Sequence, residues 1–373
     1  MTLINRRLVL CLAAVFGLPG VLCGAPPVVA QHVIVYYEPG RFAGWPANSG
    51  MWSWGNEILV CFGRAWFQEK ADSHSYDRTR PAETVFARSL DGGMTWTLEN
   101  ETRLPEGEPR SSPGGIEFTH PDFALRVRNN AFHFSYDRGR TWRGPFALPD
   151  FGLGEITART DYIVQGPADC LLFLSARDIR VQVAGEELKD RAFCARTRDG
   201  GQTFEFAGWM SDEPLTVRSV MPSTVRAADG TLVTTLRRRF DLPTGYRNDV
   251  NWIDAHGSDD DGRTWRFLAR LGYTDTTLHN GNPPSLVRLP DGRLAAAWGV
   301  RSAPFGIHAR VSTDNGLSWG PELVLRDDAR KYDIGYCRSV VRTDGRIVTL
   351  YYHTTEQLKE NHIAATIWSP PAK

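Results

Sequence analysis

The most constraining feature of the sequence is a short string that occurs five times. Each copy reads Ser/Thr-x-Asp-x-Gly-x-Thr/Ser-Trp/Phe, and the clearest copy is SDDDGRTW at 258–265. The others lie at 89–96, 135–142, 197–204 and 312–319, roughly 50 to 60 residues apart, a spacing typical of propeller repeats. In such a string the aspartate, taken as Asp261 in the copy at 258–265, accepts hydrogen bonds from turn N–H groups. The glycine supplies a positive φ, so each copy predicts a hairpin corner in one propeller blade.

These strings resemble the Asp-boxes of the sialidase superfamily, whose members fold as six-bladed β-propellers with a box between the third and fourth strands of a blade. The resemblance implies an all-β, six-bladed propeller. A strand predicted at 33–37 stands alone before the first blade, and a strand at 362–368 has no box after it. A ring closed by the N-terminal strand explains both strands and reconciles five boxes with six blades. Because the box is structural, it indicates the fold more strongly than the function.

The N-terminal segment has the layout of a signal peptide. Arg6 and Arg7 precede an apolar run at 8–18, and small residues follow as far as Ala30. We therefore expect a signal peptide at 1–30, a propeller domain at 31–373, and a secreted or periplasmic protein. The arginine pair leaves twin-arginine export open, and Cys23 leaves a lipid anchor open. No later segment is apolar over enough residues to span a membrane.

Charge and cysteine content narrow the possible partners. Lys+Arg and Asp+Glu both number 43, so net charge gives no reason to expect nucleic acid as a partner. The cysteines after the leader are Cys61, Cys170, Cys194 and Cys337, without a Cys-x-x-Cys pair, and we predict no metal and no cofactor. Cys170 and Cys194 flank one hairpin and could pair, although buried free thiols are the favoured interpretation. We expect a monomer that acts on a glycan or oligosaccharide.

The starts of the innermost strands predict where a ligand binds. Asp-Gly turns at 229–230, 291–292 and 344–345 join apolar strand pairs, and the first strand of each pair should begin near one mouth of the central channel. The residues before these strands are then expected to converge. They are Trp45, Asn48, His120, Asp122, Arg159, Asp161, Met221, His279, Asn280, Asn282, Tyr336 and Arg338. The alternative is that these polar residues simply cap exposed strand ends.

The resemblance also implies roles for particular residues. Sialidases hold the sugar carboxylate with three arginines, use a tyrosine activated by a glutamate as nucleophile, and use an aspartate as acid/base. Tyr336, in the string GYCRS, is similar to the nucleophile context, and Arg237 and Arg310 match the second and third arginines. Asp77, in a polar loop before the first box, matches the acid/base; the alternative is an ordinary solvated loop aspartate.

Two positions depart from the family pattern. Trp45-Pro46 stands where the family has its first arginine, and Met221-Pro222 stands where it has its glutamate. Arg159 or Arg338 could complete the carboxylate clamp, and the groups left as candidate bases are Asp161, Asp122 and His279. His279, Asn280, His120 and Asp122 are further candidates for substrate binding.

The favoured function is an exported exo-glycosidase of the sialidase type that removes a terminal acidic sugar through Tyr336 and Asp77. One alternative is an acidic-polysaccharide lyase, in which His120 or His279 acts with Tyr336 as base and acid, or another glycosidase on the same propeller. A further alternative is a non-catalytic glycan-binding propeller.

Overall fold

The structure is a computed structural model that describes residues 28–71, 73–100, 104–181, 188–212, 215–242, 250–275 and 280–372. The strands of these residues form six antiparallel sheets, the blades of a propeller, as predicted.

The strands are numbered in chain order. Blade 1 contains β2 (Arg41–Gly44), the short helix α1 (Pro46–Ser49), β3 (Met51–Trp54), β4 (Glu57–Trp66), β5 (Glu83–Ser89) and β6 (Thr97–Glu99). Blade 2 contains β7 (Ala124–Arg128), β8 (Ala131–Ser135) and β9 (Arg143–Ala147), and blade 3 contains β10 (Tyr162–Gly166), β11 (Asp169–Ala176), β12 (Arg191–Thr197) and β13 (Glu205–Trp209). Blade 4 contains β14 (Arg218–Arg226), β15 (Leu232–Phe240), β16 (Val250–Ser258) and β17 (Arg266–Asp275). Blade 5 contains β18 (Ser285–Arg288), β19 (Leu294–Val300), β20 (Gly306–Ser312) and β21 (Leu323–Arg326), and blade 6 contains β22 (Gly335–Val341), β23 (Ile347–His353), β24 (His362–Ser369) and β1 (Val28–Tyr36).

The ring closes through its N-terminal strand. Strand β1 pairs antiparallel with β24, with Val28 opposite Ser369 and Tyr36 opposite Ile363. Strand β24, which no box follows, thus pairs with β1, the strand that was predicted to stand alone before the first blade. The predicted closure of the ring is confirmed.

Apolar strands buried on both faces hold the blades together. Leu171, Leu172, Phe173 and Leu174 of β11 are consecutive, and each is at most 1% exposed. A strand that is covered on both faces reads as a continuous apolar run, because neighbouring blades pack on either side of it. Continuous apolar runs in the sequence, such as that of β11, therefore correspond to middle strands of the blades.

The five boxes share one hydrogen-bond pattern. In the first copy the Asp91 carboxylate accepts bonds from the Thr95 N–H at 2.9 Å and the Thr95 hydroxyl at 2.6 Å. The same pair of bonds recurs at Asp137, Asp199, Asp260 and Asp314. In the copy at 258–265 the capping residue is therefore Asp260, and the assignment of this role to Asp261 was wrong. Asp261 has a φ of 57° and pairs with Arg226 at 2.8 Å.

Blade 2 lacks the first strand that the other blades have, and this reverses the direction of its innermost strand. Its box joins β8 to β9, so these strands correspond to the third and fourth strands elsewhere, and β7 corresponds to a second strand. No first strand pairs with β7 in the described residues. Side chains replace it, since Trp52 Nε1 donates to the Leu125 carbonyl and the Thr160 hydroxyl accepts from the Val127 N–H.

The remaining predictions about cysteines and membrane spans can be checked directly. Cys61, Cys170, Cys194 and Cys337 are all free thiols in buried positions, so Cys170 and Cys194 do not pair. Within the described part of the chain, no helix is both long and apolar enough to cross a membrane. The segment proposed as a signal peptide lies at 1–30, and residues 1–27 are outside the described residues.

Candidate active site

Two ends of the channel must be distinguished. We call the end at which β10, β14, β18 and β22 begin the mouth, and the opposite end, with the box corners, the box end. In blades 3 to 6 the second strand returns to the mouth, which places Arg237 of β15 and Arg301, directly after β19, at that end.

Three side chains enter the mouth from positions of unusual backbone geometry. Trp45, Met221 and Tyr336 have φ values of 61°, 56° and 55°, and the last two lie in bulges of β14 and β22. Met221 and Tyr336 belong to one buried cluster, and the partly buried Trp45 packs against it. A non-glycine residue in this region costs of the order of 1–3 kcal/mol, and such strain concentrates at functional sites. The two positions that depart from the family pattern, Trp45 and Met221, therefore lie beside Tyr336.

Asn282 holds the backbone of Tyr336 in this conformation. Its side-chain oxygen accepts the Tyr336 N–H at 3.0 Å, and Asn282 is fully buried. Gly335 has a φ of 101°, and a Cβ at this position would lie 2.4 Å from the same oxygen. The strand start is thus built to accept only glycine before Tyr336.

Three arginines surround the Tyr336 phenol. Arg237 and Arg159 each place a positive charge near it, and the Arg301 guanidinium carbon lies 5.6 Å from the ring centre. Burial raises the pKa of Tyr336, but the charges of Arg237, Arg301 and Arg159 outweigh burial and lower the pKa below its usual value. The phenolate form is therefore easier to reach than in an ordinary tyrosine.

Part of the positive charge at the mouth has no carboxylate partner among the described residues. Burial lowers the pKa of Arg237 to about 10 and that of Arg128, at the end of β7, also to about 10. The Nε atoms of Arg237 and Arg159 are buried without a hydrogen-bond partner. Arg128, Arg159 and Arg237 form no salt bridge with a carboxylate of the described residues, so the mouth attracts an anion.

Asn280 and Arg338 each contact the cluster. Arg237 donates to the Asn280 side chain, which supports the grouping of these two residues. Arg338 crosses the channel from blade 6, donates to the Thr160 carbonyl, and lies 3.7 Å from an Asp161 oxygen. Burial raises the pKa of Asp161 to about 7, and its second carboxylate oxygen has no hydrogen-bond partner. Asp161 can thus hold a proton near neutral pH.

Other predicted site residues lie apart from this cluster. His120 and Asp122 precede β7, which begins at the box end, and Asp122 accepts a 2.6 Å bond from Arg138 of the second box. The prediction that His120 and Asp122 converge at the mouth is wrong. Blade 2 lacks a first strand in the described residues, so its innermost strand β7 runs from the box end toward the mouth. Arg310 pairs at 3.5 Å with Glu322, the residue directly before β21, toward the outside of blade 5. His279 lies outside the described residues.

Asp77 lies in an exposed turn. Its carboxylate accepts bonds from the Thr79 N–H at 2.9 Å and the Thr79 hydroxyl at 2.7 Å, and these bonds lower its pKa. No described contact joins it to Tyr336.

Two arginines of the mouth were not among the predicted residues. Arg301 follows the apolar run at 294–300 as Arg237 follows the run at 232–236, so an alignment of the second strands would have found it. Arg128 ends β7 in the same manner, but it is recognised only once the missing strand of blade 2 is known.

The fold and the site define an Asp-box β-propeller with an anion-attracting channel mouth. A family model described as "BNR repeat-like domain" matches residues 110–349, more than half of the chain. The chain belongs to this family, which confirms the resemblance to the sialidase superfamily carried by the boxes.

Solved structures show the same fold. A protein of unknown function from Dyadobacter fermentans is 22% identical, with a TM-score of 0.69, over 92% of this chain and 99% of that one. An α-L-arabinofuranosidase from Fusarium graminearum is 12% identical, with a TM-score of 0.54, over 91% and 97%. The NanB sialidase from Streptococcus pneumoniae is 13% identical, with a TM-score of 0.54, over 91% and 70%. No curated protein sequence matches. These likenesses establish a propeller fold that glycosidases share.

Proposed function

We propose that the protein is a glycosidase that removes a terminal acidic sugar from glycans, with Tyr336 as the nucleophile. The observation that carries this proposal is the burial of the Tyr336 phenol among the charges of Arg237, Arg301 and Arg159. A tyrosine suits an anionic sugar, because its phenol can be neutral while the sugar binds, whereas an ionised carboxylate nucleophile would repel the negative charge of the substrate. The same arginines that attract the sugar also make the phenol a better nucleophile.

Recognition of the sugar rests on the unpaired guanidinium groups. Arg237 is buried and Arg159 is partly buried, and the Nε atom of each has no hydrogen-bond partner; such planar forks bind a carboxylate through two parallel hydrogen bonds. Arg338 is already engaged by Thr160 and Asp161, so it is better suited to shaping the site than to binding the substrate.

The position of the family's activating glutamate is filled by Met221, whose sulfur lies 3.6 Å from an Arg237 nitrogen. Activation of Tyr336 is therefore assigned to the electrostatic field of the arginines rather than to a base. Asp161 supports the site as a protonated group near neutral pH, whereas the lowered pKa of Asp77 suits a carboxylate that stays ionised.

The test is hydrolysis of 4-methylumbelliferyl glycosides of N-acetylneuraminic acid, glucuronic acid and iduronic acid, with the α-L-arabinofuranoside as a neutral comparison. We expect turnover of an acidic glycoside and a loss of about 10³-fold or more in Tyr336→Phe, with Arg310→Gln close to the wild type. Preference for the neutral sugar, or full activity in Tyr336→Phe, would contradict the proposal. An unsaturated uronate product would instead identify a lyase, and binding without turnover a lectin.

Export belongs to the same proposal. A glycan substrate is met outside the cytoplasm, and the leader-like segment at 1–30 would direct the protein there. N-terminal sequencing of the protein from the periplasm or medium tests this, and an intact Met1 in a cytoplasmic fraction would contradict it.

A further inference from the structure

A histidine and a buried aspartate from opposite parts of the chain meet beside the mouth. His74 lies in the loop between β4 and β5, and Asp333 lies just before β22. The His74 Nδ1 atom is 2.6 Å from an Asp333 oxygen, and the other Asp333 oxygen accepts the Ser75 N–H at 3.0 Å. The carboxylate thus fixes both the ring and the backbone that carries it.

Asp333 is itself held in place as an ionised group. It is fully buried and accepts the Tyr352 hydroxyl at 2.7 Å, and Arg301 donates to the same hydroxyl at 2.6 Å. Burial raises the pKa of Asp333, but its bond to His74 and the charges of His74 and Arg301 outweigh burial and lower the pKa. An ionised Asp333 accepts a hydrogen bond from Nδ1–H, which leaves Nε2 of the neutral ring as the nitrogen without a proton.

The imidazole borders the reacting tyrosine. Its centre lies 6.4 Å from the Tyr336 ring in an edge-on arrangement and 5.1 Å from the Trp45 ring. The side chain is 29% exposed, so a ligand in the mouth can reach it. Nε2 has no hydrogen-bond partner among the described residues, whereas the Asp77 carboxylate accepts two hydrogen bonds from Thr79.

We propose that His74 is the acid/base group of the reaction and that Asp333 is its positioning residue. This inference rests on the proposed glycosidase function and replaces Asp77 by a group three residues earlier in the same loop.

The proposed hydrolysis has two steps. In the first, protonated Nε2 gives its proton to the glycosidic oxygen while the bond from that oxygen to the anomeric carbon breaks. The Tyr336 phenolate bonds to the anomeric carbon, and the alcohol leaves. In the second, neutral Nε2 takes a proton from water, the water oxygen bonds to the anomeric carbon, and the phenolate is released. The histidine and the tyrosine end in their starting states.

A purely structural role is the competing explanation. The loop is also anchored by the Tyr332 hydroxyl, which donates to the Ser73 carbonyl at 3.0 Å, and by Lys331, whose ammonium group lies 2.6 Å from the Ser75 hydroxyl. A residue that only anchors the loop would affect all substrates alike. An acid, in contrast, matters most when the leaving group is poor.

The experiment compares two leaving groups on the same acidic sugar in the full-length protein. The probes are the 4-methylumbelliferyl glycoside and a disaccharide with the same acidic sugar. The 4-methylumbelliferone group leaves without protonation, whereas the second sugar of the disaccharide must be protonated to leave. We expect His74→Gln to lower kcat/KM by about 10²- to 10³-fold on the disaccharide and by less than about 10-fold on the aryl glycoside. His308→Gln, which replaces a partly buried histidine of β20 bound to Glu322, is the matched control.

The pH profile gives a second readout. His74→Gln should abolish the alkaline decline of kcat/KM, because the protonated imidazole is the acid. The charged or titratable groups around His74 are Asp333, Tyr336, Tyr352, Arg301 and Lys331. Nitrogen-15 NMR should show the Nδ1–H tautomer of neutral His74 and its loss in Asp333→Asn, which separates positioning from folding.

Each outcome decides a different point. If the wild type turns over no acidic glycoside, the proposed function fails and the role of His74 fails with it. If the wild type is active but His74→Gln is unchanged, or loses activity equally on both probes, only the acid/base inference is overturned. It is also overturned by an Nε2–H tautomer, or by a selective loss in Asp77→Asn instead.

Discussion

Replacement of Asp260 by alanine should destabilise the corner of blade 4 while leaving the channel mouth intact. One carboxylate oxygen accepts bonds from the Thr264 N–H at 2.9 Å, the Arg263 N–H at 3.1 Å and the Ser258 hydroxyl at 2.9 Å. The other accepts the Thr264 hydroxyl at 2.6 Å. A hydrogen bond to a charged group contributes about 1.5–3 kcal/mol when buried. Because water reaches this exposed turn and partly replaces the lost bonds, we expect a total loss of about 2–3 kcal/mol.

Thermal unfolding at neutral pH measures this loss. For a domain of this size, 1 kcal/mol corresponds to about 1–2 °C in Tm, so Asp260→Ala should lower Tm by about 3–5 °C. Asp261→Asn is the matched control, since asparagine tolerates a positive φ, keeps an oxygen that can accept the bonds from Arg226 and Gln165, and loses only partly exposed ion pairs, each of which contributes at most about 1 kcal/mol. Equal losses in the two variants would refute the reasoning, as would an unchanged Tm in Asp260→Ala.

The pH dependence of the same variant gives an internal check. Burial raises the pKa of Asp260, but its hydrogen bonds with Thr264, Ser258 and Arg263 together outweigh burial and lower the pKa in the folded state. The contribution of Asp260 is therefore complete above the unfolded pKa, near 4, and is lost as the pH falls through the folded pKa. The difference in Tm between the wild type and Asp260→Ala should disappear in strong acid; a difference that persists there would have another origin.

Other predictions concern the channel mouth. Alkaline titration of tyrosine absorbance should lose an early-titrating component in Tyr336→Phe, and Arg237→Gln should move that component to higher pH; an unchanged titration would contradict the arginine effect. Arg159→Gln should weaken binding of N-acetylneuraminic acid or glucuronate by about 10-fold in calorimetry, whereas Arg310→Gln should not. Because burial raises the pKa of Asp161 to about 7, the free energy of unfolding should fall by a few kcal/mol between pH 4 and 7. Asp161→Asn should flatten this slope in urea titrations.

The blade corners show how far local sequence reaches. The hydrogen bonds that the capping aspartate accepts form within eight consecutive residues, so the string itself specifies its turn. That is why the repeat, the blade count and the closure of the ring were predictable. The error at the corners was the assignment of the capping role to Asp261 in place of Asp260. It arose because three aspartates are consecutive at 259–261, and only the middle one occupies the third position of the box.

The mouth shows which site residues local sequence could not place. Tyr336 and Arg159 were predicted because they precede apolar inner strands, and Arg237 was predicted from the family resemblance at the end of an apolar run. His120 and Asp122 were misplaced because a blade that lacks one strand runs its innermost strand in the opposite direction, and no single segment reveals this.

What the sequence determined alone is the scaffold: five boxed corners, an N-terminal strand that completes blade 6, and a tyrosine at an inner strand start. The tertiary structure decided which charges surround that tyrosine. Arg301 reaches the Tyr336 ring from a different blade, and His74 meets Asp333 across 259 residues of chain. Turn contacts are set by neighbours in sequence, whereas the environment of the site is set by which strand ends the closed ring brings to one mouth.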